Sequence, residues 1–197
     1  METYITNDPL EALRLSEECL AGHEGLIVHI ADSVFVETGA FPTCDTAVCE
    51  ALGIPVCKAR YLGGSIVCFP GDLSFCEISW GHSDFAPELV ARAAAWLRSE
   101  GLSVERDGND ILVDGRKVVS WARATTAEGL VQSVVHFSVT SDETLIQRIC
   151  TKEMVKRPGA LADYGISADD ILAALRIADF YVGRSNRGCG GYRRSLH

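Results

Sequence analysis

The sequence predicts a single α/β domain, and three observations lead to this prediction. A length of 197 residues suits one domain with a substantial core and is short for two domains of ordinary size. Apolar, strand-like segments alternate along the chain with segments of helical periodicity. The Asp114-Gly115 pair, flanked by apolar residues, is typical of a tight β-hairpin. We therefore expect strands and helices around one core.

Composition and charge exclude several classes of function. Apolar residues make up 47% of the chain, and no apolar run approaches the roughly 18 residues that cross a bilayer. Glu2 and Asp8 stand where a signal peptide would be basic. A net charge of −9 argues against nucleic acid as the main partner, because phosphate binding needs a basic surface. We expect a soluble, cytoplasmic protein with no membrane partner.

The cysteines are numerous but do not form a metal-binding pattern. The chain has 8 cysteines without C-x-x-C spacing, and its histidines are scattered. We therefore expect no metal site. Cys68 lies among apolar residues, where a free thiol acts as a small hydrophobe, and reduced thiols are expected without a secretory signal. The alternative is a disulfide between subunits of an assembly, for which Cys189 in the polar tail is the most exposed candidate.

Capping residues and apolar stripes predict the helices. Asn7 or Asp8 caps a first helix that has Pro9 in its first turn and ends at about Ala21. Further helices are predicted at 44–52, 87–100, 144–150 and 171–181, from caps, apolar spacing and glycine stops.

Apolar runs predict the strands at 25–30, 33–37 and 131–140, together with the two strands of the central hairpin. Side chains alternate along a strand, so we expect Lys117, Val119 and Trp121 on one face of the return strand. Trp121 would then fill or floor a tunnel beside Lys117.

Lys117 lies at the root of the hairpin, with Asn109 and Asp110 opposite it on the outgoing strand. A lysine in this position can reach into a cleft and bind an anionic group as a flexible point charge. An ordinary solvated turn explains the same residues equally well. The Gly63-Gly64 pair can leave amide N–H groups free for phosphate or carboxylate oxygens, although a simple turn has the same composition.

Three segments in this order resemble the lipoate-protein ligase family, which is related to octanoyltransferases and biotin ligases. The segment KARYLGGSIV (58–67) resembles the family's R-R-S-G-G-G-A-V, and residues 109–122 resemble its N-D-(hydrophobic)-x-V-x-G-x-K hairpin. The segment VHFSV (135–139) resembles its H-G-T-L-L strand. The likeness extends over roughly residues 12–175. It implies a mixed, mostly antiparallel sheet flanked by helices, as in the catalytic domain of biotin and lipoate ligases.

The resemblance also implies a function and a set of site residues. The function is an acyl ligase or transferase that attaches a lipoyl or octanoyl group to a protein lysine. A ligase would use ATP and Mg²⁺, and a transferase would use neither. Lys117 would stabilise charge on the reacting oxygens, and Cys150 is a candidate acyl-accepting thiol, as in some octanoyltransferases. The implied binding residues for substrate and nucleotide are Arg60, Gly63, Gly64, Asn109, Asp110 and His136.

The chain departs from the family pattern where polar or small residues are expected. The substituted positions are Thr38, Ser65, Phe69, Trp121 and Phe137. These departures favour an alternative: a catalytically inactive relative that serves as a structural or binding subunit of a larger assembly, such as a virus particle. A biotin-type ligase is a weaker third reading, because the G-R-G-R-x-G loop of that branch is absent.

Two regions are predicted: a ligase-like domain at 1–182 and a Gly/Arg-rich tail at 183–197. The expected partner is an acyl-acceptor protein domain, or an acidic assembly neighbour that contacts the basic tail. The oligomeric state is left open.

Overall fold

The computed structural model of the protein describes residues 1–59 and 63–176. Ten strands and five helices lie within these ranges. The strands are β1 (Glu2–Thr6), β2 (Gly25–Ile30), β3 (Phe35–Thr38), β4 (Val56–Lys58), β5 (Ser65–Cys68), β6 (Leu73–Trp80), β7 (Val104–Asp107), β8 (Asp110–Val113), β9 (Arg116–Thr125) and β10 (Leu130–Phe137). The helices are α1 (Pro9–Leu20), α2 (Thr46–Ala51), α3 (Phe85–Ser99), α4 (Glu143–Ile149) and α5 (Ala168–Leu175).

The strands form two sheets of unequal size. The large sheet has seven strands in the order β1-β2-β6-β10-β9-β8-β7, and the small sheet has three in the order β4-β3-β5. The β1–β2 and β3–β4 pairs are parallel, and every other pair is antiparallel. The expectation of a mixed, mostly antiparallel sheet flanked by helices is confirmed. The strand predicted at 33–37 pairs in the small sheet, apart from β2.

Four of the helices begin directly after a capping side chain, whereas α3 begins at Phe85, two residues before its predicted start, without a side-chain cap. The Asp8 carboxylate accepts a hydrogen bond from the backbone N–H of Leu10 at 2.8 Å, and Asp45 and Asp142 cap α2 and α4. Ser167 forms a capping box at the start of α5. The predicted extension of α5 beyond residue 176, and the tail at 183–197, lie outside the described residues.

The central hairpin forms as predicted, since Asp114 and Gly115 adopt φ values of 49° and 75° between β8 and β9. Two edge strands of the large sheet were not predicted. In β7 the residues are mostly exposed and charged, and β1 has no apolar run, so neither has the pattern of a half-buried strand.

One face of the large sheet, here called the core face, carries the main core. Phe75 and Phe137 meet edge to face with their ring centroids 5.8 Å apart, and both side chains are fully buried. Alanine-rich α3 packs on this face with α5 beside it. The opposite face, here called the inner face, is covered by α1, which packs on residues such as Ile27 and Ile78. The small sheet lies over the rest of the inner face and adds Ile66, Phe35 and Cys68.

Candidate functional site

A row of polar residues crosses the inner face of the large sheet. Strand register places its members side by side on six consecutive strands, and they are Thr6, His29, Ser74, His136, Ser120 and Asp110. Because residues opposite each other in neighbouring strands share a face, the row is continuous from β1 to β8. We call it the polar row. Its middle members, Ser74, His136 and Ser120, line a cavity between the two sheets.

A β-bulge adds Lys117 to this row. Ile111 pairs with Val119, but the next residue of β8, Leu112, pairs with Lys117, so Val118 is the extra residue. The bulge shifts the alternation by one, and Val118 and Val119 both enter the core. Lys117 therefore shares the inner face with Ser120. The prediction that Lys117 shares a face with Val119 and Trp121 is wrong, because strict alternation does not hold across a bulge.

Trp121 lies on the other side of the sheet from the Lys117 side chain. It pairs with Val135 and packs against the main core, although it also contributes to the lining of one cavity. Trp121 therefore does not share the face of Lys117, but it lines a cavity that Lys117 also lines, so it still forms part of the wall of a space beside that lysine.

The backbone of Lys117 is fixed by a strap formed by residues 157–159. The Lys117 N–H donates to the Arg157 carbonyl at 2.8 Å, and the Gly159 N–H donates to the Lys117 carbonyl at 2.8 Å. A Cβ atom at Gly159 would lie 2.8 Å from the Cβ of Arg116, so only glycine permits this close approach. The Lys117 side chain is half-buried, and its amine has no ion pair within the described part of the chain.

Lys117 lies where two cavities meet, since it lines both. The larger cavity, here called the outer arm, has a volume of about 330 Å³ and is bounded by the strap, α4 and β5. The smaller cavity, here called the inner arm, has a volume of about 200 Å³ and extends between the two sheets. Ser120 and Ser65 also line both cavities. A ligand with two portions joined by an anionic group would fit this arrangement.

Asp110 and Lys156 lie together in the outer arm. The Lys156 amine is 2.6 Å from an Asp110 carboxylate oxygen and 3.0 Å from one of Asp107. The side-chain hydrogen bond to Asp110 raises the pKa of Lys156 above its usual value, with a smaller contribution from Asp107. The predicted site residue Asp110 is therefore in the site. Sequence reasoning missed Lys156, because a lysine in a loop gives no local signal.

Asn109 does not join these residues. It is exposed in the turn before β8, and its carbonyl accepts a hydrogen bond from the Trp121 N–H at 3.0 Å. Neither cavity is lined by Asn109. Its side chain lies outside the site because β8 begins only at the next residue, Asp110.

Gly63 and Gly64 line the inner arm. Their carbonyls accept hydrogen bonds from the N–H groups of Phe41 and Gly39, at 2.8 and 2.9 Å. Among the described residues, neither glycine N–H has a backbone acceptor, so a ligand could accept hydrogen bonds from them. A Cβ atom at Gly64 would lie 3.3 Å from the Thr43 hydroxyl oxygen, whereas one at Gly63 would meet open space. The predicted site residue Arg60 lies outside the described residues.

His136 is buried at the deep end of the inner arm, with 3% of its surface exposed. A hydrogen bond of 3.0 Å joins its Nδ1 to the Ser74 hydroxyl. Its Nε2 lies 3.5 Å from a carboxylate oxygen of Asp72 without hydrogen-bond geometry. His136, which the resemblance implied as a site residue, thus lines the deep end of the inner arm.

Asp72 is a buried residue whose carboxylate joins two distant segments, and the sequence did not indicate this role. Its carboxylate accepts hydrogen bonds from the N–H groups of Phe69, Val139 and Thr140, at 2.9, 2.7 and 3.0 Å. These bonds join the turn before β6 to the chain after β10, next to His136. Asp72 follows a Pro-Gly pair, which identifies a turn but not its distant partners.

Cys150 lines the outer arm together with Cys44, and the two residues lie opposite each other in an antiparallel bridge. Burial raises the pKa of the Cys150 thiol above its usual value, Cys44 raises it further, and the charge of Lys117 opposes the shift. The net direction is upward, whereas nucleophilic thiols have lowered pKa values. The described cysteines are all free.

Glu37 is a third residue, after Lys156 and Asp72, that the sequence did not place in the site. It pairs with Ile66 in the small sheet, and both line the inner arm. Burial raises the pKa of Glu37 above its usual value, and nearby His136 opposes that increase. From the sequence, Val36-Glu37-Thr38 indicated only the loss of a polar contact; the pairing shows that Glu37 faces the ligand space instead.

No protein-family model and no curated protein sequence matches the chain. Among solved structures, P. falciparum LipL1 in complex with lipoate superposes with a TM-score of 0.71 at 12% identity, over 96% of this chain and 64% of that one. The fold is that of the lipoate-protein ligases.

Two further ligase structures share this fold. Lipoate-protein ligase A bound with ATP has a TM-score of 0.68 at 18% identity, over 89% of this chain and 83% of its own. The bipartite lipoate protein ligase of Thermoplasma acidophilum, determined with its E2 lipoyl domain, has a TM-score of 0.66 at 18% identity, over 89% of this chain and 80% of its own. The fold implied by the sequence resemblance is thereby confirmed.

Within residues 1–59 and 63–176, no helix is long and apolar enough to span a membrane. The same ranges contain no group of three or more His, Cys, Asp or Glu side chains arranged to bind a metal ion.

Proposed function

We propose that the protein is an acyl ligase of the lipoate-ligase type, which activates a carboxylic acid with ATP and transfers the acyl group to a protein lysine. Lipoyl and octanoyl are the acyl groups that the family resemblance implies. The observation that carries the proposal is the position of Lys117, a half-buried cation at the junction of two cavities. In such a position an ammonium group stabilises anionic oxygens strongly, because little water screens it.

The two arms suit the two parts of an acyl adenylate. The outer arm is the larger and carries Lys156 and Asp110, so it is assigned to the nucleotide. The inner arm is narrower and leads between the sheets, so it is assigned to the acyl group. Lys117 then contacts the carboxylate and phosphate oxygens between them, and the free N–H groups of Gly63 and Gly64 add neutral donors on the same side.

ATP fits this donor set, because its phosphates are anionic and the junction offers a lysine and two free amides. When bound, ATP supplies the adenylyl group that activates the substrate carboxylate with loss of pyrophosphate. Asp110 is the carboxylate that would hold Mg²⁺ together with phosphate oxygens, as is usual for this ion. The acceptor lysine then attacks the acyl carbonyl, and AMP leaves with the bonding electron pair.

A transferase that passes the acyl group through Cys150 is the less supported version of this proposal. It needs a thiolate at neutral pH, and burial raises the pKa of Cys150. The ATP-dependent ligase needs no nucleophilic side chain, because the acceptor lysine is itself the nucleophile. The geometry therefore favours the ligase.

Calorimetric titration with acyl-sulfamoyl-adenosines tests the proposal, since these are stable analogues of the acyl adenylate. We would titrate lipoyl, octanoyl and amide-tailed analogues into the parent, Lys117→Ala and Lys152→Ala. Lys152 is exposed and serves as the matched control. At least one analogue should bind the parent, and Lys117→Ala should weaken it by more than about tenfold, or about 1.4 kcal/mol, with Lys152→Ala unchanged.

If the folded parent binds none of the analogues, the ligase assignment fails. That result would favour the alternative of an inactive relative acting as a structural or binding subunit. An acyl-acceptor domain would then no longer be the expected partner.

A further inference from the structure

The inner arm continues beneath α1 into a small cavity of about 40 Å³. Glu37, Ser74 and Val134 line both spaces, so the two form one pocket that narrows along the polar row. A pocket for a plain alkyl tail is expected to end in apolar side chains. Here the small cavity has apolar lining from residues such as Leu13, Ile27 and Phe35, but His29, Glu37, Ser74 and Gln132 also line it, and His136 lines the adjoining inner arm.

Several buried polar atoms at this end have no hydrogen-bond partner among the described residues. They are His29 Nε2, Gln132 Oε1 and His136 Nε2. His29 and Gln132 are 6% and 3% exposed, so bulk water does not reach them. The Gln132 amide donates to the Ser16 hydroxyl at 2.9 Å, which leaves its carbonyl oxygen as the open acceptor. Unpaired buried polar groups are rare in folded proteins and call for an occupant.

Glu37 adds a carboxylate to this set. Alternation along β3 sends Val36 to the apolar cluster beneath α2 and α4, and turns Glu37 with its partner Ile66 towards the large sheet. The Glu37 carboxylate makes no hydrogen bond or ion pair with the described residues. A dithiolane or methyl terminus would desolvate this carboxylate without replacing its hydrogen bonds.

The unpaired atoms at the deep end are mainly acceptors. The ionised Glu37 carboxylate and Gln132 Oε1 can only accept hydrogen bonds, and the imidazole nitrogens can do either. The complementary ligand group therefore carries N–H donors. An alkyl chain and a dithiolane ring carry none.

We propose that the acyl substrate ends in an N–H-bearing group, an amide or an amine, that binds between Glu37 and Gln132 at the deep end of the inner arm. This inference rests on the proposed function, since it assigns the inner arm to the acyl group. It identifies the substrate class as carboxylic acids with a polar far end. Water is the competing occupant, because the small cavity has room for it.

The test compares three acyl-sulfamoyl-adenosines that share an eight-carbon chain and differ at its far end: methyl, carboxamide and amine. Calorimetry gives the ratio of affinities within one protein, so differences in folding between variants do not affect it. For the parent, the carboxamide or amine analogue should bind at least tenfold more tightly than the methyl analogue. The stronger of the two identifies whether the natural group is neutral or charged.

Two variants test whether Glu37 causes the preference for the carboxamide or amine analogue. Glu37→Leu should reverse the ratio in favour of the methyl analogue, and Glu37→Gln should weaken the amine more than the carboxamide. Glu50→Gln, on the exposed surface of α2, is the control and should leave all ratios unchanged.

Each other outcome is decisive. If the parent binds the methyl analogue as tightly as the polar ones, the deep end holds water only and the inference fails, while the proposed function stands. If the parent prefers the polar analogues but Glu37→Leu keeps that preference, the assignment to Glu37 fails. If no analogue binds the parent, the proposed function fails.

Discussion

The two faces of the large sheet are built from the same strands and have opposite characters. On the core face, Phe75 and Phe137 are fully buried against alanine-rich α3. On the inner face, the same strands carry members of the polar row: Ser74 precedes Phe75, and His136 precedes Phe137. Because side chains alternate along a strand, one residue can contribute to the stability of the core while the next contributes to binding. The core face holds the sheet rigid, and the inner face is free to carry polar groups.

The largest effect is expected from a substitution on the core face. Phe75→Ala removes a fully buried ring and should lower the free energy of unfolding by about 3–5 kcal/mol. Ser74→Ala, one residue away on the inner face, loses only its bond to His136 and should cost about 1 kcal/mol. Urea denaturation of both variants measures the difference. Equal costs would mean that the inner face contributes as much to stability as the core face.

A smaller effect is expected at the strap beside Lys117. In Gly159→Ala the new methyl group would lie 2.8 Å from the Cβ of Arg116 and 2.9 Å from a methyl of Val118. Such overpacking typically costs about 1–3 kcal/mol, and displacement of the strap should also weaken binding of the acyl-adenylate analogue. Thermal unfolding and calorimetry measure the two effects.

Gly63→Ala is the control for stability, because its added Cβ meets nothing within 4 Å. It should unfold like the parent. If Gly159→Ala also unfolds like the parent and binds the analogue normally, the strap does not fix Lys117.

A pH-dependent effect is expected from Glu37. Because burial raises its folded-state pKa, the native protein holds the proton more tightly than the unfolded chain does. The contribution of Glu37 to the free energy of unfolding is therefore fully present below the ordinary carboxyl pKa of about 4. It is lost as the pH rises through the raised pKa of the folded state. Glu37→Gln, which mimics the protonated form, should therefore gain stability relative to the parent as pH rises to 8.

Urea unfolding of the parent, Glu37→Gln and the exposed control Glu50→Gln at pH 4 and pH 8 measures this change. The Glu50 variant should follow the parent at both values. A stability difference between parent and Glu37→Gln that does not depend on pH would show that Glu37 titrates normally.

The smallest expected effect concerns Cys150. Burial raises its pKa, so alkylation by iodoacetamide should reach half its maximal rate at a higher pH in the folded protein than in the urea-unfolded chain. Peptide mass spectrometry follows the rate at this one cysteine. In Lys117→Ala the shift should increase, because the charge of Lys117 opposes it. A midpoint below that of the unfolded chain would restore Cys150 as a candidate nucleophile.

Local sequence signals predicted the elements well where a single residue controls them. Asp8, Asp45 and Asp142 cap three helices as expected, and the Asp114-Gly115 turn forms the predicted hairpin. The edge strand β7 was missed because its exposed, charged residues lack a buried face. It is a strand only because β8 supplies its hydrogen bonds.

The site was predicted less completely than the helices and the hairpin, because several of its contacts join residues that are far apart in the sequence. Lys117, Gly63, Gly64, Asp110 and His136 line the two cavities, and their roles in binding stay a prediction. Lys156 reaches Asp110 from 46 residues away. Asp72 bonds to residues 67 and 68 positions further along the chain. Interactions between residues so far apart in the sequence cannot be predicted from a local pattern.

The sequence by itself determined the helices, the central hairpin and the presence of a lysine at its root, because capping and turn formation depend on neighbouring residues. Only the tertiary structure decided which face that lysine occupies. The bulge at Val118 arises from the pairing of β9 with β8, and it moves Lys117 from the core face to the inner face. Likewise, Glu37 faces a ligand space only because the small sheet lies over the polar row. Long-range strand pairing fixes both results, and no short stretch of residues specifies it.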